Sequence, residues 1–252
     1  MNAIRQTRRS VLKTIAGLPI AAVLADPRLA RAAAAGLENV SINGQSAALA
    51  LPAQTPAPMV LLVHEWWGLN DQIKSVARAF ADRGHVALAL DLYGGKVATS
   101  AAEARAYMGR VNSAQATATC AAWIDWLRAR QDTTDRLGTV GWCFGGGWSL
   151  NASLARPVEA TVIYYGRLVD DETRLAALKG PVLGHYASRD QWINAAMVEG
   201  FEKAMTAAGK AFTSHWYEAD HAFANPTSAI YDEADAALAW NRTLDFFAVN
   251  LR

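Results

Sequence analysis

Cysteine is scarce in this chain, with two in 252 residues. At most one disulfide is available, so no framework of bridges holds the fold together. Long apolar runs are missing as well. Beyond residue 35 no segment approaches the roughly 18 consecutive apolar residues that suggest a membrane span. Charge of one sign is also lacking, since 24 basic residues face 23 acidic ones for a net of +1. What remains, 52% hydrophobic and 19% charged residues, is the balance of a soluble globular protein. No repeat, low-complexity tract or linker separates a second domain.

The first 35 residues stand apart. A basic start leads into an apolar run from Val11 to Ala25, broken by Lys13 and Thr14, and then into a small-residue segment containing Ala30-Arg31-Ala32. That order is the pattern of a secretory signal. The paired Arg8 and Arg9 before Val11 and Leu12 resemble a twin-arginine export signal. Residues 1–35 are therefore expected to be removed, and residues 36–252 to act in the periplasm or outside the cell. Residues 1–32 carry six basic residues and one acid, and without them 18 basic residues face 22 acidic ones, a net of −4. Such a surface does not suit nucleic acid. No membrane attachment is expected after the signal.

From Val40 onward two periodicities alternate. "VSINGQSAALALP" reads as a hairpin. The runs "PMVLLVH", "HVALALDLY", "LGTVGWC", "EATVIYYG" and "GPVLGHYAS" read as strands buried on both faces. Between them "DQIKSVARAFADRG", "ATATCAAWIDWLRARQ", "GGGWSLNASLA" and "NAAMVEGFEKAMTAAG" carry apolar residues at helical spacing, and a strand "AFTSHWYE" and a helix "YDEADAALAWNRTLDFFAVN" close the chain. Strand and helix in alternation predict one α/β domain, a mostly parallel twisted sheet with helices on both faces. Binding sites in such sheets collect at the carboxyl ends of the strands. The segments "HEWWGLN", "DLYGG", "GWCFGGG", "SRDQWI" and "EADHAFANP" lie there.

One of them has a chemical form. Gly141-Trp142-Cys143-Phe144-Gly145 matches G-x-nucleophile-x-G, in which a strand turns sharply into a helix and leaves the nucleophile in a strained conformation between small neighbours. At the amino end of a helix the dipole and free N–H groups favour negative charge on the sulfur. The pentapeptide also fits a plain glycine-rich turn around a buried cysteine. A triad on this scaffold runs nucleophile, acid, histidine, and Asp190 and His221 fit that order. His85, His185 and His215 sit within or beside strand patterns and read as structural. His64 is a weak competitor at a strand end. Asp220 adjoins His221 too closely to face it, and Asp91 reads as a loop tie. The expected oxyanion donors are the backbone N–H groups of Phe144 and Trp66. Cys120 lies at helical spacing among apolar residues and reads as a small core side chain.

Taken in order, "HEWWGLN", "DLYGG", "GWCFGGG", "SRDQWI" and "WYEADHAFAN" resemble the dienelactone hydrolase (carboxymethylenebutenolidase) family of α/β-hydrolases, from Pro58 to the end of the chain. Each motif alone is common, but five in register are specific. The resemblance implies a Cys143-Asp190-His221 triad and a Glu65 that contacts the resting thiol and helps remove its proton. It implies hydrolysis of a lactone or small ester through a thioester acyl-enzyme, with no metal and no cofactor.

One position departs from the pattern. The family's arginine shortly after the histidine is here Asn225, so Asn225 becomes a candidate substrate contact without a charge, and Arg105 or Arg110 is left as a source of one. Trp66, Trp67, Trp142, Trp148 and Trp192 lie beside the proposed site residues and suggest an aromatic pocket, with Trp67 and Trp192 as candidate substrate contacts; for each of the five, core packing is at least as good a reading. Two other functions fit the same residues, a non-catalytic small-molecule binding protein on a hydrolase scaffold and a thiol that responds to peroxide.

Overall fold

The computed structural model describes residues 26–252. The expected leader therefore lies largely outside the described residues, apart from helix α1 (Pro27–Ala34), which starts at an Asp26 cap. The next two strands, β1 (Glu38–Ile42) and β2 (Gln45–Ala50), pair antiparallel. Asn43 and Gly44 turn between them with φ of 51° and 75°, the left-handed pair that a two-residue hairpin needs.

Strand β3 (Ala57–Val63) leads to helix α2 (Asp71–Ala81), and β4 (Val86–Leu90) to helices α3 (Ala101–Gly109) and α4 (Ser113–Arg128). Strand β5 (Thr133–Trp142) runs into helix α5 (Phe144–Ala155), followed by β6 (Ala160–Tyr164), the short α6 (Glu172–Leu175) and β7 (Val182–Ala187). Helix α7 (Ala195–Ala207), strand β8 (Phe212–Tyr217) and helix α8 (Glu233–Asn250) complete the chain. The expected strands and helices are all present, and α1, α3 and α6 add to them.

The eight strands form one sheet in the order β1-β2-β4-β3-β5-β6-β7-β8. Only the β1–β2 and β2–β4 pairs are antiparallel; from β4 to β8 every neighbour is parallel. Alternate residues of β3 serve opposite faces. Val60 and Leu62 pack with Phe80 of α2 and Trp240 and Phe247 of α8. Leu61 and Val63 pack with Trp123 and Leu127 of α4 and Trp148 of α5. Both faces are thus covered, which explains why the parallel strands read as continuous apolar runs.

This order sets β3, β5, β6, β7 and β8 side by side with their carboxyl ends level. Val63 pairs with Gly141, Trp142 with Tyr164, Tyr164 with His185, and His185 with His215. The loops after those five neighbouring strands meet at one edge. No described helix is long and apolar enough to cross a membrane.

Candidate active site

At the end of β5 the chain reverses into α5 at Cys143, whose φ of 55° and ψ of −117° are strained for a residue with a side chain. The turn is packed backbone against backbone. A Cβ at Gly141 would strike the Gly145 carbonyl, and one at Gly145 would strike the carbonyls of Val63 and His64. Cys143 donates its N–H to Tyr164 O at 3.0 Å and its carbonyl accepts from Gly146 at 3.0 Å. Deeper in α5, Ser149 Oγ donates to Val162 O at 2.9 Å and meets Thr139 Oγ1 at 2.9 Å. These buried hydroxyl bonds fasten the helix to β5 and β6, so the sulfur is held on rigid elements. Phe144 is the first helical residue, and its N–H has no intrahelical acceptor.

His221 reaches this point from the loop after β8. Its Nδ1 lies 2.7 Å from Asp190 Oδ2. Asp190 is fixed in turn by the N–H groups of Trp192 at 2.8 Å and Ile193 at 3.1 Å. Burial alone would lower the His221 pKa; hydrogen bonds to Asp190 and Cys143, and their charges, override it and raise the imidazole to about 10. For Asp190, burial works upward, while the bonds from His221, Trp192 and Ile193 outweigh it and hold the carboxyl below its usual range. The structure therefore brings Cys143, Asp190 and His221 together as a connected set.

Glu65 follows β3 and is buried, 4% exposed. The expected contact of its carboxylate with the resting thiol is replaced by two others. Asn225 Nδ2 donates to Oε2, and Tyr165 OH donates to Oε1 at 3.4 Å. Desolvation raises Glu65 from 4.5 to about 7, against the lowering effects of Asn225, His221 and Tyr165. Asn225, also 4% exposed, is thus a partner of Glu65 rather than an open substrate contact: it sits beneath the site because its amide is the donor that a buried carboxylate requires.

Tyr165 is a site residue that the sequence reading passed over. It follows β6 with a φ of 38° and is fully buried. Its ring centroid lies 5.0 Å from that of His221. Burial first, then the nearby charges of Glu65 and Cys143, push its hydroxyl well above the ordinary tyrosine range. Five adjacent strand ends therefore supply Glu65, Cys143, Tyr165, Asp190 and His221.

The rim is aromatic. Trp192 is 69% exposed and meets His221 edge-on with centroids 5.0 Å apart. Trp66 and Trp67 are half-buried and lie edge to face, 5.0 Å apart, in the turn closed by Gly68 N–H on Glu65 O at 3.2 Å. Trp142 and Trp148 belong to the core. Arg105 is exposed on α3 and forms no ion pair among the described residues, so nothing ties it to the site.

The remaining candidates have structural partners. His64 Nε2 accepts from Leu92 N at 3.1 Å and its Nδ1 bonds the Glu65 carbonyl; burial lowers its pKa, so the ring is neutral. His185 is enclosed between Tyr217 OH at 2.9 Å and Thr243 Oγ1 at 3.1 Å. Asp91 holds the N–H groups of Tyr93 and Gly95. Asp220 faces Arg189 at 3.3 Å. Cys120 and Cys143 are both free thiols, and burial pushes Cys120 up to about 12. No group of three or more His, Cys, Asp or Glu among the described residues is placed to hold a metal ion.

The profile of the dienelactone hydrolase family matches residues 46–251. A "Putative carboxymethylenebutenolidase" of Methylorubrum extorquens is 36% identical over 217 residues, covering 79% of this chain and 74% of that protein. The carboxymethylenebutenolidase of Pseudomonas putida is 27% identical over 230 residues, covering 84% of this chain and 95% of that one. A crystal structure titled "Putative Dienelactone Hydrolase" from Klebsiella pneumoniae superposes with a TM-score of 0.76 at 28% identity, over 84% of this chain and 98% of that one.

Proposed function

The chain belongs to the dienelactone hydrolase family and is a hydrolase of lactones or esters, and from that premise we propose that Cys143 is its nucleophile. The observation that carries the reading is His221, held by Asp190 at 2.7 Å and raised in part by the neighbouring Cys143 at the strained head of α5. An imidazole raised to about 10 is protonated at neutral pH, the state that accompanies a thiolate.

In this reading Cys143 Sγ attacks the substrate carbonyl, and the N–H groups of Phe144 and Trp66 receive the oxyanion. Collapse breaks the acyl–oxygen bond, leaves a thioester on Cys143 and passes the His221 proton to the departing alkoxide. Water then loses a proton to His221 as its oxygen attacks the thioester. The carboxylic acid departs and the thiolate–imidazolium pair returns. Glu65, with a carboxyl near 7, changes charge in the working range, and its ionised form favours the His221 imidazolium that accompanies the thiolate. Trp67 and Trp192 form apolar walls. Without an arginine at the Asn225 position, neutral lactones and aryl esters are expected to turn over at least as well as carboxylated ones.

The test is hydrolysis of a lactone and aryl-ester panel by Cys143→Ala and Cys120→Ala, with acyl-enzyme sought by intact mass. Loss of turnover and of the acyl adduct in the first variant alone supports the thiol. Full activity in Cys143→Ala excludes it. We further propose export by the Arg8-Arg9 leader, tested by replacing both with lysine and following the protein between cytoplasm and periplasm.

A further inference from the structure

A cavity of about 250 Å³ opens on the β4 side of the molecule. The loop after β4, the end of α3 and the first two turns of α4 enclose it. Its walls combine apolar Leu92, Val111 and Ala116 with the rings of Tyr93 and Tyr107. Lys96 and Arg110 supply the charge. None of Cys143, Asp190, His221 and Glu65 lines it.

The charges here are unbalanced. Neither Lys96 nor Arg110 has an ion-pair partner among the described residues. The neighbouring carboxylates are engaged elsewhere, Asp91 with the N–H groups of Tyr93 and Gly95 and Glu103 with Thr99. The ammonium of Lys96 stands 5.7 Å from the Tyr107 ring centroid. Tyr93 gives the cavity its ring, since its hydroxyl is closed off from the surface and lies within the influence of the Cys143 charge.

We propose that this cavity binds the carboxylate of a small organic acid, with Lys96 and Arg110 on the anion and the tyrosine rings and aliphatic walls on its apolar body. The mixture of walls distinguishes such a ligand from a bare inorganic anion, which gains nothing from Leu92 or Val111. Hydrolysis of an ester or lactone yields a carboxylic acid, so the site takes the chemical class of the reaction's product. Tyr93 links the two places, with its ring 4.7 Å from His64 and 5.6 Å from Phe144, the neighbour of Cys143.

The experiment is calorimetric titration of the full chain carrying Cys143→Ala with benzoate, benzamide and inorganic phosphate. Because that variant cannot form an acyl-enzyme, the outcome does not depend on the proposed nucleophile. Benzoate is expected to bind about tenfold more tightly than benzamide, and Lys96→Gln with Arg110→Gln together to remove that advantage. Wild-type protein alkylated at Cys143 is expected to keep its benzoate affinity. Unchanged benzoate binding in the double variant, its loss on alkylation, or tighter binding of phosphate than of benzoate overturns the proposal.

Discussion

Asn225 donates its side-chain amide to the carboxylate of Glu65, a residue 160 positions earlier in the chain. The bond makes Asn225 a regulator of Glu65 ionisation and gives its substitutions opposite signs. Asn225→Leu removes a donor to the charged form and is expected to raise Glu65 above about 7. Asn225→Arg sets a cation beside it and is expected to lower it. The acid limb of kcat/KM against pH should move up in the first variant and down in the second. A limb that stays fixed in both would detach Glu65 from that ionisation.

The same burial has a cost in stability. The folded pKa of Glu65 lies above its ordinary 4.5, at about 7, so its contribution is fully present below 4.5 and is lost as pH rises through 7. A displacement of that size corresponds to about 3 kcal/mol. Glu65→Gln keeps a neutral group in the pocket, and its unfolding free energy should gain on the wild type between pH 5 and pH 8. Denaturant titrations at the two pH values measure the difference, and parallel losses in both proteins would count against it.

His221 loses stability in the same direction but in a higher pH window. Its folded pKa of about 10 stands above the ordinary 6.5, so the paired imidazolium stabilises fully below 6.5 and is lost as pH passes 10. Asp190→Asn removes the leading hydrogen bond that raises it, and the alkaline limb of kcat/KM should move toward neutrality. The loss in kcat is expected to be on the order of 10³–10⁴-fold, and adding His221→Ala should cost little more, because triad members act as a unit. Independent, multiplicative losses would contradict the assignment.

The alternation of strand and helix was legible because β3 to β7 are buried on both faces and α2 and α4 carry regular apolar stripes. Cys143, Asp190 and His221, the residues proposed as a triad, could be placed at one edge of the sheet because each follows a strand whose carboxyl end is recognisable. Three features were hidden for physical reasons. In α3 only Ala104 is buried, so the helix has no apolar stripe to detect. Tyr165 continues the apolar run of β6 and looks like another core residue; only Gly166 after the tyrosine pair marks the strand end. Asn225 reads, against the family arginine, as a substrate contact, whereas its bond to Glu65 is a long-range pairing that no local pattern encodes.

Tyr165 provides a test of that hidden part. Tyr165→Phe keeps the ring against His221 and removes one donor to Glu65, so Glu65 should rise modestly while folding is preserved. A neutral donor is worth about 0.5–1.5 kcal/mol, equivalent to a few-fold change. The acid limb of kcat/KM should shift upward in the direction of Asn225→Leu but by less. A drop in kcat with an unmoved limb would assign the hydroxyl to the reacting atoms.

Trp192 is the exposed ring of the site, edge-on to His221 at 5.0 Å, and its backbone N–H is one of the donors that fix Asp190. A side-chain substitution leaves that N–H in place, so the two roles can be separated. Edge-to-face aromatic contacts are worth about 0.5–1.5 kcal/mol beyond the area they bury. Trp192→Ala should therefore raise KM for aryl esters several-fold, leave KM for small aliphatic lactones nearly unchanged, and retain most of kcat for both. Trp192→Phe should recover much of the aryl-ester affinity. Equal losses in kcat for aryl and aliphatic substrates would mean that the indole supports the His221 ring rather than the substrate, and the aromatic wall would then rest on Trp67.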